Sequence, residues 1–318
     1  MRTTGSIPSF LFLVIMVRIL SGIQNLETSV YDDSIPAGTN FDKALFRLWL
    51  PGDQQALRGI LVLVPGSNGD GRDLCLDQQW QGLARELHFA VLGCFFTDRP
   101  GGNSAIEAYA DASKGSGQAL LDVLKKFAMQ TGVGTLVNLP LAFWGHSAGG
   151  QYNYEFACWK PERVLAFVVN KGGVYYTALA SQETRSVPGL FFTGEKDLVF
   201  RTRIIEGIFS VNRRFGAVWT YAMEPGAGHE VGGTKALSLL YFRQVLPMRL
   251  GATDMTGALK GSLHAFTNED FLLGDPVLKT IEKGNHWQEK GYPTSWLPGA
   301  SFAEEWLRFI SGAAFGSR

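Results

Sequence analysis

The sequence of 318 residues is poor in the side chains that bind metals or cross-link chains. It has three cysteines (Cys75, Cys94 and Cys158) and five histidines. Few cysteines in an odd number exclude a disulfide framework and leave room for one bridge at most. Cys94, in an apolar stretch, and Cys158, in an aromatic one, read as small core residues. No Cys-x-x-Cys and no His-Glu-x-x-His occurs. Without metal-ligand spacing, no metal is expected. Charge of one sign is not in excess either, with 29 Lys plus Arg against 29 Asp plus Glu. A neutral chain lacks the basic face that phosphate neutralisation needs, so no nucleic-acid partner is expected. Charged residues are 18% and apolar residues 46%, which excludes a disordered chain. No run reaches the roughly 20 apolar residues of a membrane span, so no stable membrane insertion is expected.

The N-terminus carries a shorter apolar run, Phe10 to Val17, after Arg2 and before Ser21-Gly22. This reads as a secretory signal peptide over residues 1–22 and predicts a secreted or periplasmic protein. Arg18 interrupts the pattern, which leaves a short hydrophobic anchor or buried helix as the plain alternative. Ile23 stands where a lipoprotein signal would need Cys, which argues against a lipid anchor.

Glycine is abundant, 38 residues, against a usual share of roughly 7%; its scatter along the chain implies many tight turns. Between residues 41 and 250 strand and helix patterns alternate. Gly59 to Val64 is a continuous apolar run, and Ala90 to Phe96, Leu139 to Trp144, Val164 to Val169, Gly189 to Thr193 and Ala217 to Met223 read as further strands. Such runs suit strands buried on both faces. Leu76, Trp80, Leu83 and Leu87 mark a helix stripe between two of them, and Ala119 to Phe127, Ala148 to Trp159, Ile204 to Phe209 and Leu237 to Val245 mark others. Phe41 to Leu50 reads as an added strand. The fold class is therefore α/β, a mostly parallel central sheet with helices on both faces. Residues 23–250 form one domain on this reading. Residues 251–318, rich in Gly, Pro and aromatics, form a C-terminal extension docked on it. In that extension Ser301-Phe302-Ala303-Glu304 predicts a capping box opening a short helix. Trp287, Trp296 and Trp306 offer an alternative reading as a carbohydrate-stacking surface.

One motif carries chemistry. Gly145-His146-Ser147-Ala148-Gly149-Gly150 contains Gly-x-Ser-x-Gly directly after an apolar strand and before a helix. A nucleophile on a strained strand-to-helix turn needs small neighbours, which Gly145 and Gly149 supply. The plain alternative is a glycine-rich turn holding an ordinary serine. The loop Gly66 to Asp73 has glycines spaced like a phosphate loop but lacks the Lys and Ser/Thr that would follow.

With this motif the sequence resembles the α/β-hydrolase family over roughly residues 41–245. It looks most like secreted lidless serine esterases of the polyhydroxybutyrate-depolymerase and feruloyl-esterase type. The resemblance implies a triad in the order nucleophile, acid, His. Asp197 follows an apolar strand in Gly194-Glu195-Lys196-Asp197 and matches the acid; a helix-capping role is its alternative, and Glu195 is the fallback acid. His229, in the glycine-rich loop after the next strand, matches the base. His264 and His286 are its rivals, while His146, inside the turn, is expected to point elsewhere. The oxyanion hole is assigned to the N–H groups of Ala148 and, by resemblance, of Ser67, with Asn68 next. About 20 residues separate the strands ending near Val169 and starting near Gly189, too few for a multi-helix cap. The resemblance thus implies an open site, no cofactor, and a small-molecule or polymeric ester as substrate. A serine peptidase on the same fold and a non-catalytic binding protein are the alternatives.

Overall fold

The computed structural model describes residues 28–52, 57–101, 106–250, 266, 271–284 and 294–313. The expected signal peptide 1–22, His264, His286 and Trp287 lie outside the described residues. An eight-stranded sheet is ordered β1-β2-β4-β3-β5-β6-β7-β8. Its strands are β1 (Ser29–Ile35), β2 (Lys43–Leu50), β3 (Gly59–Val64), β4 (Phe89–Thr97), β5 (Leu141–His146), β6 (Val164–Asn170), β7 (Gly189–Gly194) and β8 (Trp219–Glu224). β3 to β8 run parallel, and β1 and β2 add an antiparallel edge. β1 was not anticipated from its sequence. Its SVYDDSI alternates between half-buried and exposed positions and gives no apolar run. Arg47 of β2 holds it through Asp32, at 2.9 Å.

The central strands are apolar over most of their length because helices cover both faces. Ile60, Val62 and Val64 of β3 enter one core and Leu61 and Leu63 the other. The first core is closed by α2 (Ser116–Thr131), α3 (Ala148–Trp159) and α5 (Val199–Arg214). The second is closed by α1 (Gln78–Leu87), α6 (Thr234–Leu250) and α7 (Ala300–Ile310). α1 starts where Asp77 accepts the N–H groups of Gln79 and Trp80 at 3.0 and 3.2 Å, an N-cap that satisfies two orphan donors. Between β6 and β7 the chain forms only the single turn α4 (Gln182–Arg185); no cap domain is built there.

The C-terminal segment adds a small antiparallel sheet, ordered β10-β9-β11, from β9 (Leu272–Asp275), β10 (Thr280–Lys283) and β11 (Ser295–Leu297). Trp296 and Trp306 are fully buried in the second core, so they present no stacking face to a sugar. The capping box is also absent. The residue preceding α7 is Gly299, no side chain caps the helix, and Ser301 lies inside its first turn. The anchor is instead the apolar stripe Phe302, Trp306 and Phe309. All three cysteines are free, and Cys75 and Cys94 are buried.

Candidate active site

β5 lies between β3 and β6 near the middle of the sheet, and Ser147 sits in the turn from its end into α3. The Ser147 backbone has φ 53° and ψ −122°, a conformation that costs a non-glycine residue roughly 1–3 kcal/mol. Close packing enforces it. A Cβ at Gly145 would strike the backbone of Gly149, and one at Gly149 the carbonyl oxygen of Val64. Ser147 N–H donates to Asn170 O at 2.8 Å, fixing the turn to β6.

Asp197 and His229 come from the loops after β7 and β8. His229 Nε2 lies 2.9 Å from Ser147 Oγ, and His229 Nδ1 lies 2.7 Å from Asp197 Oδ2. A carboxylate only accepts, so Nδ1 carries the proton and Nε2 is left to accept from the serine hydroxyl. The Asp197 side chain is 3% exposed and that of His229 30%. Asp197 Oδ1 also accepts Leu198 N–H at 2.7 Å and Arg201 Nη1 at 3.2 Å. Asp197 caps no turn of α5; its contacts serve the histidine, with Leu198 N–H and Arg201 steadying the carboxylate. Burial pushes its carboxyl up, but bonds from His229, Leu198 N–H and Arg201 outweigh it and hold the group below the ordinary range. Asp197 is therefore ionised at neutral pH. Glu195, the fallback acid, accepts Gly226 N–H at 2.6 Å and braces the histidine loop.

His146 does not point away. Its Nε2 is 2.6 Å from the carbonyl oxygen of His229, and the two rings lie 5.2 Å apart. Because a carbonyl only accepts, His146 donates from Nε2. Burial lowers its pKa below the usual histidine value, so the ring is neutral at pH 7.

The loop after β3 closes over the serine. A Cβ on Gly66 would lie 3.6 Å from Ser147 Cβ. Asn68, with φ 52°, gives its N–H to the Tyr109 hydroxyl at 3.2 Å. Its side-chain oxygen accepts Asp98 N–H at 2.7 Å. That leaves the Ser67 N–H, not Asn68's, without a bonded partner among the described residues. Ala148 opens α3, so its N–H is among the orphan donors of the first turn. Burial pushes the Cys75 and Cys158 thiols up to about 12, so neither is a thiolate nucleophile at neutral pH. Among the described residues no group of three His, Cys, Asp or Glu is arranged to hold a metal.

No family model matches the sequence, and no curated protein matches it. The backbone is similar to that of a ferulic acid esterase, with a TM-score of 0.54 and 13% identity, over 70% of this chain and 99% of that one. The chain has the α/β-hydrolase fold. Poly(aspartic acid) hydrolase-1 from Sphingomonas sp. KT-1 also matches, with TM-score 0.47 and 16% identity over 67% of this chain and 97% of that one. So does fluorophosphonate-binding serine hydrolase F of Staphylococcus aureus, with TM-score 0.46 and 13% identity over 69% and 98%.

Within the α/β-hydrolase fold Ser147, Asp197 and His229 meet at the carboxyl ends of β5, β7 and β8, where crevices of open parallel sheets form. Two neighbours of this group were not anticipated as such. Arg201, in the first turn of α5, reaches back to Asp197 in the loop that precedes the helix. His146 offered no sequence signal of its role, because the carbonyl it meets lies 83 residues away.

Proposed function

We propose that the protein is a serine hydrolase that cleaves carboxylic esters through an acyl-enzyme. The observation that supports this most is the hydrogen-bonded line Ser147 Oγ–His229–Asp197, at 2.9 and 2.7 Å, built on a strained serine. In the proposed reaction Ser147 Oγ attacks the ester carbonyl carbon. The hydroxyl proton passes to His229 Nε2, and the carbonyl π pair moves onto oxygen. The N–H groups of Ser67 and Ala148 stabilise that oxyanion; removing one such donor typically costs about 2.7–4 kcal/mol of transition-state stabilisation. Asp197 keeps His229 in the required tautomer and stabilises the imidazolium. Collapse breaks the bond to the alkoxide, which leaves with the proton from His229. Water then repeats the sequence on the acyl-enzyme and frees the acid.

The reading needs no metal and no cofactor. The esterase chemistry named for the neighbour of TM-score 0.54 is carried to this chain as part of the proposal. So is an open crevice, supported by the single-turn α4 between β6 and β7, which suits bulky or polymeric esters. Export after cleavage near residue 22 belongs to the proposal too, and N-terminal sequencing of protein from the medium or periplasm tests it.

The test is hydrolysis of a p-nitrophenyl acetate-to-decanoate series by the wild type and Ser147→Ala. Loss of the nucleophile should lower kcat by roughly a million-fold. Equal rates in both proteins on every ester overturn the esterase reading. Peptide cleavage lost in Ser147→Ala, with no ester cleavage, would make the protein a peptidase.

A further inference from the structure

Lys171 follows β6 and is fully buried, with its side chain 0% exposed. Few lysines are buried this deeply without a partner that compensates the charge. Its backbone is in the left-handed region, φ 54°, and its N–H donates to Phe192 O of β7 at 3.1 Å. The ammonium donates to Glu224 Oε2 at 2.7 Å and to the carbonyl oxygen of Glu230 at 2.6 Å. Glu224 Oε1 in turn accepts Gly233 N–H at 2.6 Å. The preceding carbonyl, that of His229, accepts from His146 Nε2 at 2.6 Å. Two consecutive carbonyls of the histidine loop are therefore held by donors from the ends of two central strands, β5 and β6. Those strand ends also carry the serine: His146 precedes Ser147, and Asn170, before Lys171, accepts its N–H.

We propose that Lys171, with Glu224 and His146, acts as a positioning residue that sets the approach of His229 to Ser147. This rests on the reading of His229 as general base. A salt bridge is not needed to keep the loop folded, since buried pairs replaced by neutral groups of similar shape are often tolerated. What the pair supplies is a fixed position: the loop around His229 is rich in glycine, Gly226, Gly228, Gly232 and Gly233, and has little intrinsic stiffness. A misplacement of about 1 Å in such an arrangement costs on the order of a hundred-fold in rate.

The test uses the full chain with Lys171→Met combined with Glu224→Gln, which removes both charges and strands neither. Thermal unfolding verifies that the double variant folds. Two readouts follow. The first is the low-field proton resonance of His229 Nδ1–H, held by Asp197 and assigned by its absence in His229→Gln. The second is the split between kcat and KM. The double variant should broaden or lose the resonance and lower kcat about ten- to a hundred-fold, with KM little changed. His146→Phe should act in the same direction. An unchanged resonance in the folded double variant overturns the proposal. The resonance is read whether or not an ester is turned over. Failure of the esterase reading, seen as equal rates with Ser147→Ala, is thus told apart from failure of this one.

Discussion

The serine and the histidine of the site are held in different ways. Ser147 is placed by backbone. Its turn is squeezed between β3 and β5, with Gly145 and Gly149 admitting no Cβ. His229 is placed chiefly by side chains: Asp197 takes its ring, His146 its carbonyl, and Glu195 the loop before it, where Lys196 N–H also donates to Ala227 O at 2.8 Å. Backbone placement needs particular small residues at fixed spacing, so it leaves a motif. Side-chain placement draws on residues from distant loops, so partners such as His146 share no local motif with the histidine.

Perturbing each arm sharpens that contrast. Asp197→Asn attacks the side-chain arm at its most consequential point, the tautomer of His229. It should reduce kcat about 10⁴-fold while circular dichroism stays unchanged. Gly149→Ala attacks the backbone arm. Because the new methyl meets the Val64 carbonyl, stability to urea should fall by about 1–3 kcal/mol or more, and activity should fall with it. Arg201→Gln removes only an outer bond to Asp197, one of 3.2 Å from a partly exposed guanidinium. The change in kcat should stay below about ten-fold, since such pairs contribute roughly 0–1 kcal/mol. The smallest effect is on pH dependence. His146 is held below its ordinary pKa by burial, so the unfolded chain binds its proton first as pH falls. Stability therefore drops below about pH 6.5. His146→Gln removes that contribution, and urea titrations between about pH 7 and 5 should give a shallower slope.

The same division explains what could be read before the structure. The parallel strands were legible because most of their positions are buried and apolar, most completely in GILVLV of β3. β1 was not, because an edge strand need satisfy only one neighbour and carries Asp32 and Asp33. The Gly-x-Ser-x-Gly turn was legible for its steric demand. The grip of His146 and Lys171 on the histidine loop was not, since it joins residues 83 and 59 positions apart. The tryptophans of the C-terminal segment were ambiguous in sequence, because an aromatic residue serves a buried core and an exposed binding face equally well.

Those tryptophans bear on the sheet's other edge. β8 is the last strand, and an unpaired final strand is a template for pairing with another molecule. At Tyr221 the outward amide donates to Ser295 Oγ at 2.9 Å, and the carbonyl accepts from Ser295 Oγ and Trp306 Nε1 at 3.1 and 2.8 Å. Among the described residues, side chains occupy the open ladder positions there. The opposite edge bears the two aspartates of β1. Those aspartates are paired with Arg47 and Lys126, whereas at Tyr221 the C-terminal segment already takes up the backbone groups that an added strand would need.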